Sequence, residues 1–204
     1  MTSEIKTSNH IASQDTGNPG DSVPQAKHRR NSPGIGRWLL ETVFMIALAF
    51  LLAQGIKAFI LQPFIIPTGS MEPTIMVGDR VLAEKISYRF SQPVAGDIVV
   101  FDDPGGVYPQ LIKRIVAVEG QTIDIRDGKV YIDNEPLPES YTASSVTQAA
   151  SAELPATIPE GHVWLMGDNR PNSSDSRVFG AQPIESIKAR AFAIYWPIAR
   201  WGEL

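Results

Sequence analysis

The stretch Gln121-Thr122-Ile123-Asp124-Ile125-Arg126-Asp127-Gly128-Lys129-Val130-Tyr131-Ile132-Asp133 decides the fold. Polar and apolar residues alternate up to Asp127-Gly128 and alternate again after it. Alternation at period two sends successive side chains to opposite faces of a strand. Asp-Gly between two such runs suits a two-residue turn that needs positive φ, so the segment predicts a β-hairpin.

The same texture extends outward. Asp97-Ile98-Val99-Val100-Phe101 follows Gly96, and Leu111 to Val118 is a second apolar run with Lys113 and Arg114 inside it. His162 to Met166 and Ala189 to Trp196 read as later strands, with one helical turn over Pro183 to Ile187 between them. Gly78-Asp79 and Gly96-Asp97 read as structural turns. Sixteen prolines and many glycine turns suit an antiparallel sheet or barrel rather than βαβ units, so the fold class is mainly β. Residues 134–160, rich in Ser, Ala and Thr, are expected to be a loop or a poorly ordered insertion.

On the N-terminal side the composition changes twice. Residues 1–35 are polar and rich in Ser, Thr, Asn, Gly and Pro, too poor in apolar surface to offset the entropy of ordering, and are expected to be a disordered tail. Residues 36–61 hold the apolar segment Trp38 to Ile60, interrupted by Glu41, Gln54 and Lys57. A helix of ~20 mostly apolar residues crosses ~30 Å of hydrocarbon. Glu41 and Lys57 lie near its ends, where a lysine snorkels to water, and Trp38 is placed as an interfacial anchor. A buried amphipathic helix and a cleaved signal peptide are the other readings, the latter a poor fit to so long a polar leader. Lys27, Arg29, Arg30 and Arg37 before the span favour a cytoplasmic N-terminus, with residues 62–204 outside the cytoplasm.

Composition excludes several chemistries. There are no cysteines, hence no disulfide, thiolate nucleophile or Cys-type zinc site. His10, His28 and His162 are the only histidines, and two lie in the polar tail, so a His-based triad or multi-His metal site is hard to build. Residues 1–37 carry a net charge of +2, which leaves the remainder at −6 within a total of −4. An acidic main domain argues against a nucleic-acid partner.

Ser70 stands in Phe64-Ile65-Ile66-Pro67-Thr68-Gly69-Ser70-Met71-Glu72-Pro73-Thr74, just past the apolar segment. A serine hydroxyl is a weak nucleophile until a base takes its proton. With histidine excluded, lysine is the candidate base, and it must be neutral, which burial favours. Lys113 sits between Leu111-Ile112 and Ile115-Val116, and in a strand it points away from the face of Arg114. Taken singly, these features also fit a solvated lysine on an edge strand and an ordinary Gly-Ser turn. Gly167-Asp168-Asn169-Arg170-Pro171-Asn172-Ser173-Ser174-Asp175-Ser176-Arg177 adds turn formers, hydroxyls and an Asp/Arg pair directly after a strand, which alone also fits an elaborate surface loop.

Taken together, Pro67 to Thr74, Gly96 to Phe101, Lys113 to Ala117 and Gly167 to Arg177 resemble the ordered motif boxes of bacterial type I signal peptidases, the Ser/Lys-dyad leader peptidases. The likeness runs from the apolar segment to about residue 197, and resembles the single-span type. It implies an antiparallel β protease domain behind one transmembrane helix. It implies Ser70 as nucleophile, Lys113 as general base, and Thr68 with the Ser70 N–H as oxyanion hole. Ser173 then orients the lysine, and Asp175 and Arg177 brace the loop. Phe64, Ile66, Pro67, Val81, Leu111 and Ile112 wall the substrate pockets. The implied reaction removes signal peptides from exported preproteins after small residues, at a plasma or thylakoid membrane, by a monomer without metal or cofactor. A self-cleaving regulator of the LexA-like class shares such a dyad, but a membrane span and the lack of a DNA-binding head oppose it. An inactive, membrane-tethered binding module of the same fold is the remaining alternative.

Overall fold

The computed structural model describes residues 34–204. The tail expected over 1–35 falls almost wholly outside the described residues, and Ile35 already belongs to helix α1, Ile35–Phe59. Within α1, Ile35–Ile56 is long and apolar enough to cross a membrane, with a mean hydropathy of 2.1. Arg37 pairs with Glu41 one turn away at 3.0 Å, so the acidic interruption of the apolar run carries its own counterion.

The expected segment 36–61 ends slightly early, because strand β1 spans Leu61–Ile65. Pro63 lacks an amide proton and disfavours helix in the residue before it, which ends α1. Pro63 is tolerated because β1 is an edge strand, paired on one side only, with β2, Arg80–Glu84.

The remaining strands are β3 (Ile98–Asp102), β4 (Gln110–Val118), β5 (Thr122–Arg126), β6 (Lys129–Ile132), β7 (Glu135–Pro136), β8 (Ala156–Thr157), β9 (His162–Met166), β10 (Gln182–Pro183), β11 (Ile187–Trp196) and β12 (Gly202–Glu203). One sheet runs β1-β2-β11-β3-β4-β9-β10, with β12 also on β11. The second runs β7-β6-β5-β8. Every pairing is antiparallel. One turn of 3-10 helix, Ile184–Ser186, separates β10 from β11.

Residues 121–133 form the hairpin β5–β6, with Arg126 opposite Lys129. Asp127 and Gly128 take φ of 49° and 78°, the left-handed pair that the turn requires.

Residues 134–160 are not a detached loop. They contribute β7 and β8, and Leu137, Ala152, Leu154, Ala156 and Ile158 pack against Ile123, Val130 and Trp164. Its apolar residues stand singly among small polar ones, so no period announces the packing.

Gly128 is where segment and hairpin meet. Its carbonyl accepts from Thr147 N at 2.7 Å, and a Cβ there would stand 3.0 Å from Val146 Cγ1. Gly128→Ala combines positive φ with that crowding and is expected to cost about 1–2 kcal/mol. A fall in the thermal midpoint of the full chain, with Asp124→Ala as a neighbouring control, checks this.

Candidate active site

Ser70 follows β1 by five residues and opens a short turn. Met71 and Ile75, both fully buried, anchor that turn in the core, and Ile75 N donates to Met71 O at 2.9 Å. Gly69 lies close under the Glu72 carboxylate, and a Cβ there would stand 2.9 Å from the carboxyl carbon and push that side chain aside. The nucleophile candidate is therefore fixed by apolar burial immediately after it.

Lys113 lies in the middle of β4, which is paired on both sides, with β3 and β9. Its Nζ is 2.8 Å from Ser70 Oγ and 3.0 Å from the Ile112 carbonyl. Lys113 is 2% exposed and Ser70 8%. Burial drives the lysine pKa down from 10.5 to about 8, against the opposing pull of Asp175, Asp103 and Asp168.

Arg114, on the other face of β4, organises what surrounds the pair. It donates to both Asp168 oxygens at 2.9 and 2.7 Å and to Gly96 O at 2.9 Å. Its guanidinium stacks 4.1 Å from the Tyr141 ring centre. Asp168 also accepts from Thr74 Oγ1 at 2.5 Å, which ties the Ser70 turn to β4.

The next residue completes the clamp. Asn169 N donates to Ser70 O, and Asn169 Nδ2 donates to Gly69 O, each at 3.0 Å. Gly167 lies so close that a Cβ would overlap Ser173 Oγ and the Ser70 carbonyl oxygen. The loop 167–175 is thus pressed against the backbone of Ser70.

The structure places the other sequence-derived residues as follows. Ser173 Oγ is buried beside Gly167 and has no hydrogen-bond partner among the described residues, so it does not bond Lys113 here. Asp175 and Arg177 form a buried two-pronged pair, at 2.8 and 2.7 Å. Asp175 also accepts from Gly167 N at 3.0 Å, and Arg177 donates to Arg170 O at 2.7 Å. Thr68 and Pro67 are exposed ahead of Ser70. Phe64, Ile66, Val81 and Ile112 gather around one core cluster. Leu111 instead joins a second cluster with Phe101, Ile115 and Phe179.

Sequence reading missed the clamp, because Asn169 and Thr74 act through partners 100 and 94 residues away. It also missed the hold of the 134–160 segment on the loop. Arg170 donates to Glu139 and Thr147, and Arg177 to Gln148 O. The only prior signal was an arginine in each half of a turn-rich motif.

A family model described as signal peptidase, peptidase S26, matches residues 38–196. The chain is 39% identical over 185 residues to a probable signal peptidase I-1 of Synechocystis, covering 86% of this chain and 92% of that one. It is 35% identical over 199 residues to signal peptidase I of Leptolyngbya laminosa, covering 94% and 97%. It is 40% identical over 152 residues to the chloroplastic thylakoidal processing peptidase 1 of Arabidopsis thaliana, covering 69% and 44%. The chain belongs to the peptidase S26 family of signal peptidases.

Proposed function

We propose that this chain is a membrane-bound serine endopeptidase that removes signal peptides from preproteins with a Ser70/Lys113 dyad. The observation that carries the reading is the 2.8 Å contact between Ser70 Oγ and a buried lysine whose pKa is depressed to about 8. A strand-central lysine that gives up its proton more readily than usual, set against a serine, has the form of a general base beside its nucleophile.

That contact supports an acyl-enzyme reaction. Neutral Lys113 takes the Ser70 hydroxyl proton as Oγ attacks the scissile carbonyl carbon. The oxyanion accepts from the Ser70 N–H and the Thr68 hydroxyl. Lys113, now an ammonium, donates its proton to the leaving nitrogen as the C–N bond breaks. Lys113 then deprotonates a water that attacks the acyl ester and frees Ser70. Ser173, whose buried hydroxyl beside Gly167 has no partner among the described residues, would turn it to the amine to orient it. Asp175 and Arg177 hold that loop in place.

Small residues at −1 and −3 fit walls made by Phe64, Ile66, Pro67, Val81, Leu111 and Ile112, and larger ones are excluded sterically. The span α1 supplies the anchor, with the N-terminus cytoplasmic and residues 62–204 outside, in a plasma or thylakoid membrane. The Arabidopsis relative named as thylakoidal supports keeping both membranes in view. The enzyme acts as a monomer.

Ser70→Ala and Lys113→Ala are each expected to lower cleavage of a preprotein by at least about 10³-fold, with membrane insertion intact. Wild-type rates in either variant would exclude the dyad. Thr68→Val keeps the shape and removes the donor, and kcat is expected to fall about 10²–10³-fold with KM little changed.

The pH dependence has a definite sign. The base works only when unprotonated, so kcat/KM rises with pH through about 8 and falls below it as Lys113 takes up a proton. A rate profile between pH 6 and pH 10 on a peptide with no titratable side chain measures it. A flat profile over that range would count against a lysine base.

A further inference from the structure

The 134–160 segment meets the frame of the dyad at a second place, besides the two arginines of the 167–177 loop. Its turn at residues 139–144 lies over the Arg114–Asp168 pair. Tyr141 stacks its ring on the Arg114 guanidinium, whose carbon is 4.1 Å from the ring centre. Two residues on, Ala143 N donates to the Asp168 carbonyl at 3.2 Å. One turn thus holds both members of the pair, the arginine by its face and the aspartate by its main chain.

The local bonding of that turn presents the ring. Thr142 Oγ1 lies 3.1 Å from the carbonyl oxygens of Glu139 and Ser144, which closes the backbone around Tyr141. The Tyr141 hydroxyl donates to Glu139 Oε1 at 3.4 Å, and Glu139 also accepts from Arg170. Burial, with Glu139 beside it, pushes the phenol up to about 12, so the ring stays neutral where the lysine titrates.

A guanidinium is planar and donates within its plane. In that plane Arg114 bonds both Asp168 oxygens and Gly96 O, which leaves its two faces, and Tyr141 covers one. Arg114 and Asp168 are both buried. A charge pair kept from water holds together more strongly than one in contact with it.

The pair bears on the base as well as on the turn of Ser70. Three carboxylates, Asp175, Asp103 and Asp168, favour the charged form of Lys113. Asp175 is countered by Arg177 and Asp168 by Arg114, whereas Asp103 accepts from the N–H groups of Gly105, Val107 and Tyr108. The share of the Asp168 charge that reaches Lys113 therefore depends on how closely Arg114 sits on it.

We propose that Tyr141 is a positioning residue for the reaction: its ring keeps Arg114 on Asp168 and so limits the negative charge that Lys113 meets when it must be neutral. The inference rests on the peptidase reading above. It gives the 134–160 segment a part in setting the base, beyond holding the loop.

The test follows kcat/KM against pH for the full chain in detergent micelles, on a peptide with no titratable side chain. In Tyr141→Leu the guanidinium face is bared, the pair loosens, and more of the Asp168 charge acts on Lys113. The ammonium is then favoured, so the rise in rate is expected about half a pH unit higher than in wild type. At pH 7 this reads as a loss of about threefold beyond any loss seen at pH 10. Tyr141→Met fills the space with a flexible side chain that has no π face, and is expected to shift the midpoint equally. Tyr141→Phe keeps the ring without the hydroxyl and is expected to keep the wild-type midpoint. Tyr131 stacks on Arg126 in the same way, at 4.0 Å, on the hairpin β5–β6, and Tyr131→Leu is expected to leave the midpoint in place. A purely structural loss lowers the rate at every pH and moves no midpoint. An unmoved midpoint in Tyr141→Leu or Tyr141→Met, or an equal shift in Tyr141→Phe or Tyr131→Leu, overturns the role of the ring and leaves the peptidase reading standing. A wild type that does not cleave, or whose rate shows no rise with pH, overturns both.

Discussion

The structure depends on keeping one amine dry. Unfolded, the Lys113 amine holds its proton up to its ordinary pKa of 10.5, whereas folded it releases it near 8. The unfolded chain binds more protons between those values, so stability rises with pH across that window. Below it, folding carries the full cost of burying the amine, about 3 kcal/mol. Asp175, Asp103 and Asp168 limit that cost by drawing the pKa back up. Burial and countercharge therefore set the amine between an inert ammonium and a group too costly to bury.

Holding that balance requires a rigid frame around a short hydrogen bond. The Arg114–Asp168 pair is almost without solvent contact and spans strand and loop. Breaking a buried pair of this kind costs about 3–5 kcal/mol, since the remaining charge is left uncompensated. Asn169 bonds the Gly69 and Ser70 carbonyls, so the frame grips the main chain on both sides of the Ser70 side chain. Glu139, Thr147 and Gln148 in turn hold the two arginines of the loop. The 134–160 segment thus braces the candidate active site, although among the described residues it makes no hydrogen bond to Ser70 or Lys113.

Much of the strand pattern was legible because alternation and turn chemistry are local. His162–Met166 and the hairpin at Asp127-Gly128 could be read from a dozen residues each. β1 was not, since Leu-Gln-Pro-Phe-Ile carries no period and a proline, and it forms only because β2 offers an edge. Ser70 and Lys113 were legible as chemistry, but their meeting is a long-range event across 43 residues. The split between Leu111 and Ile112 illustrates the limit. These two are neighbours in β4, so they face opposite ways and pack in different clusters, a separation that adjacency in the sequence does not display.

The junction between α1 and β1 sets a ruler. The helix ends at Phe59 and the strand starts at Leu61, so a single residue joins them. From Phe59 to Ser70 the chain, even fully extended, spans no more than about 40 Å. With α1 in a bilayer, the Ser70 hydroxyl is confined to a layer no deeper than that over the lipid. A substrate held in the same bilayer by its own apolar helix is concentrated into that layer before any contact forms. Distance along the membrane normal then becomes a selection rule in itself: a peptide with acceptable residues at the wrong height is out of reach.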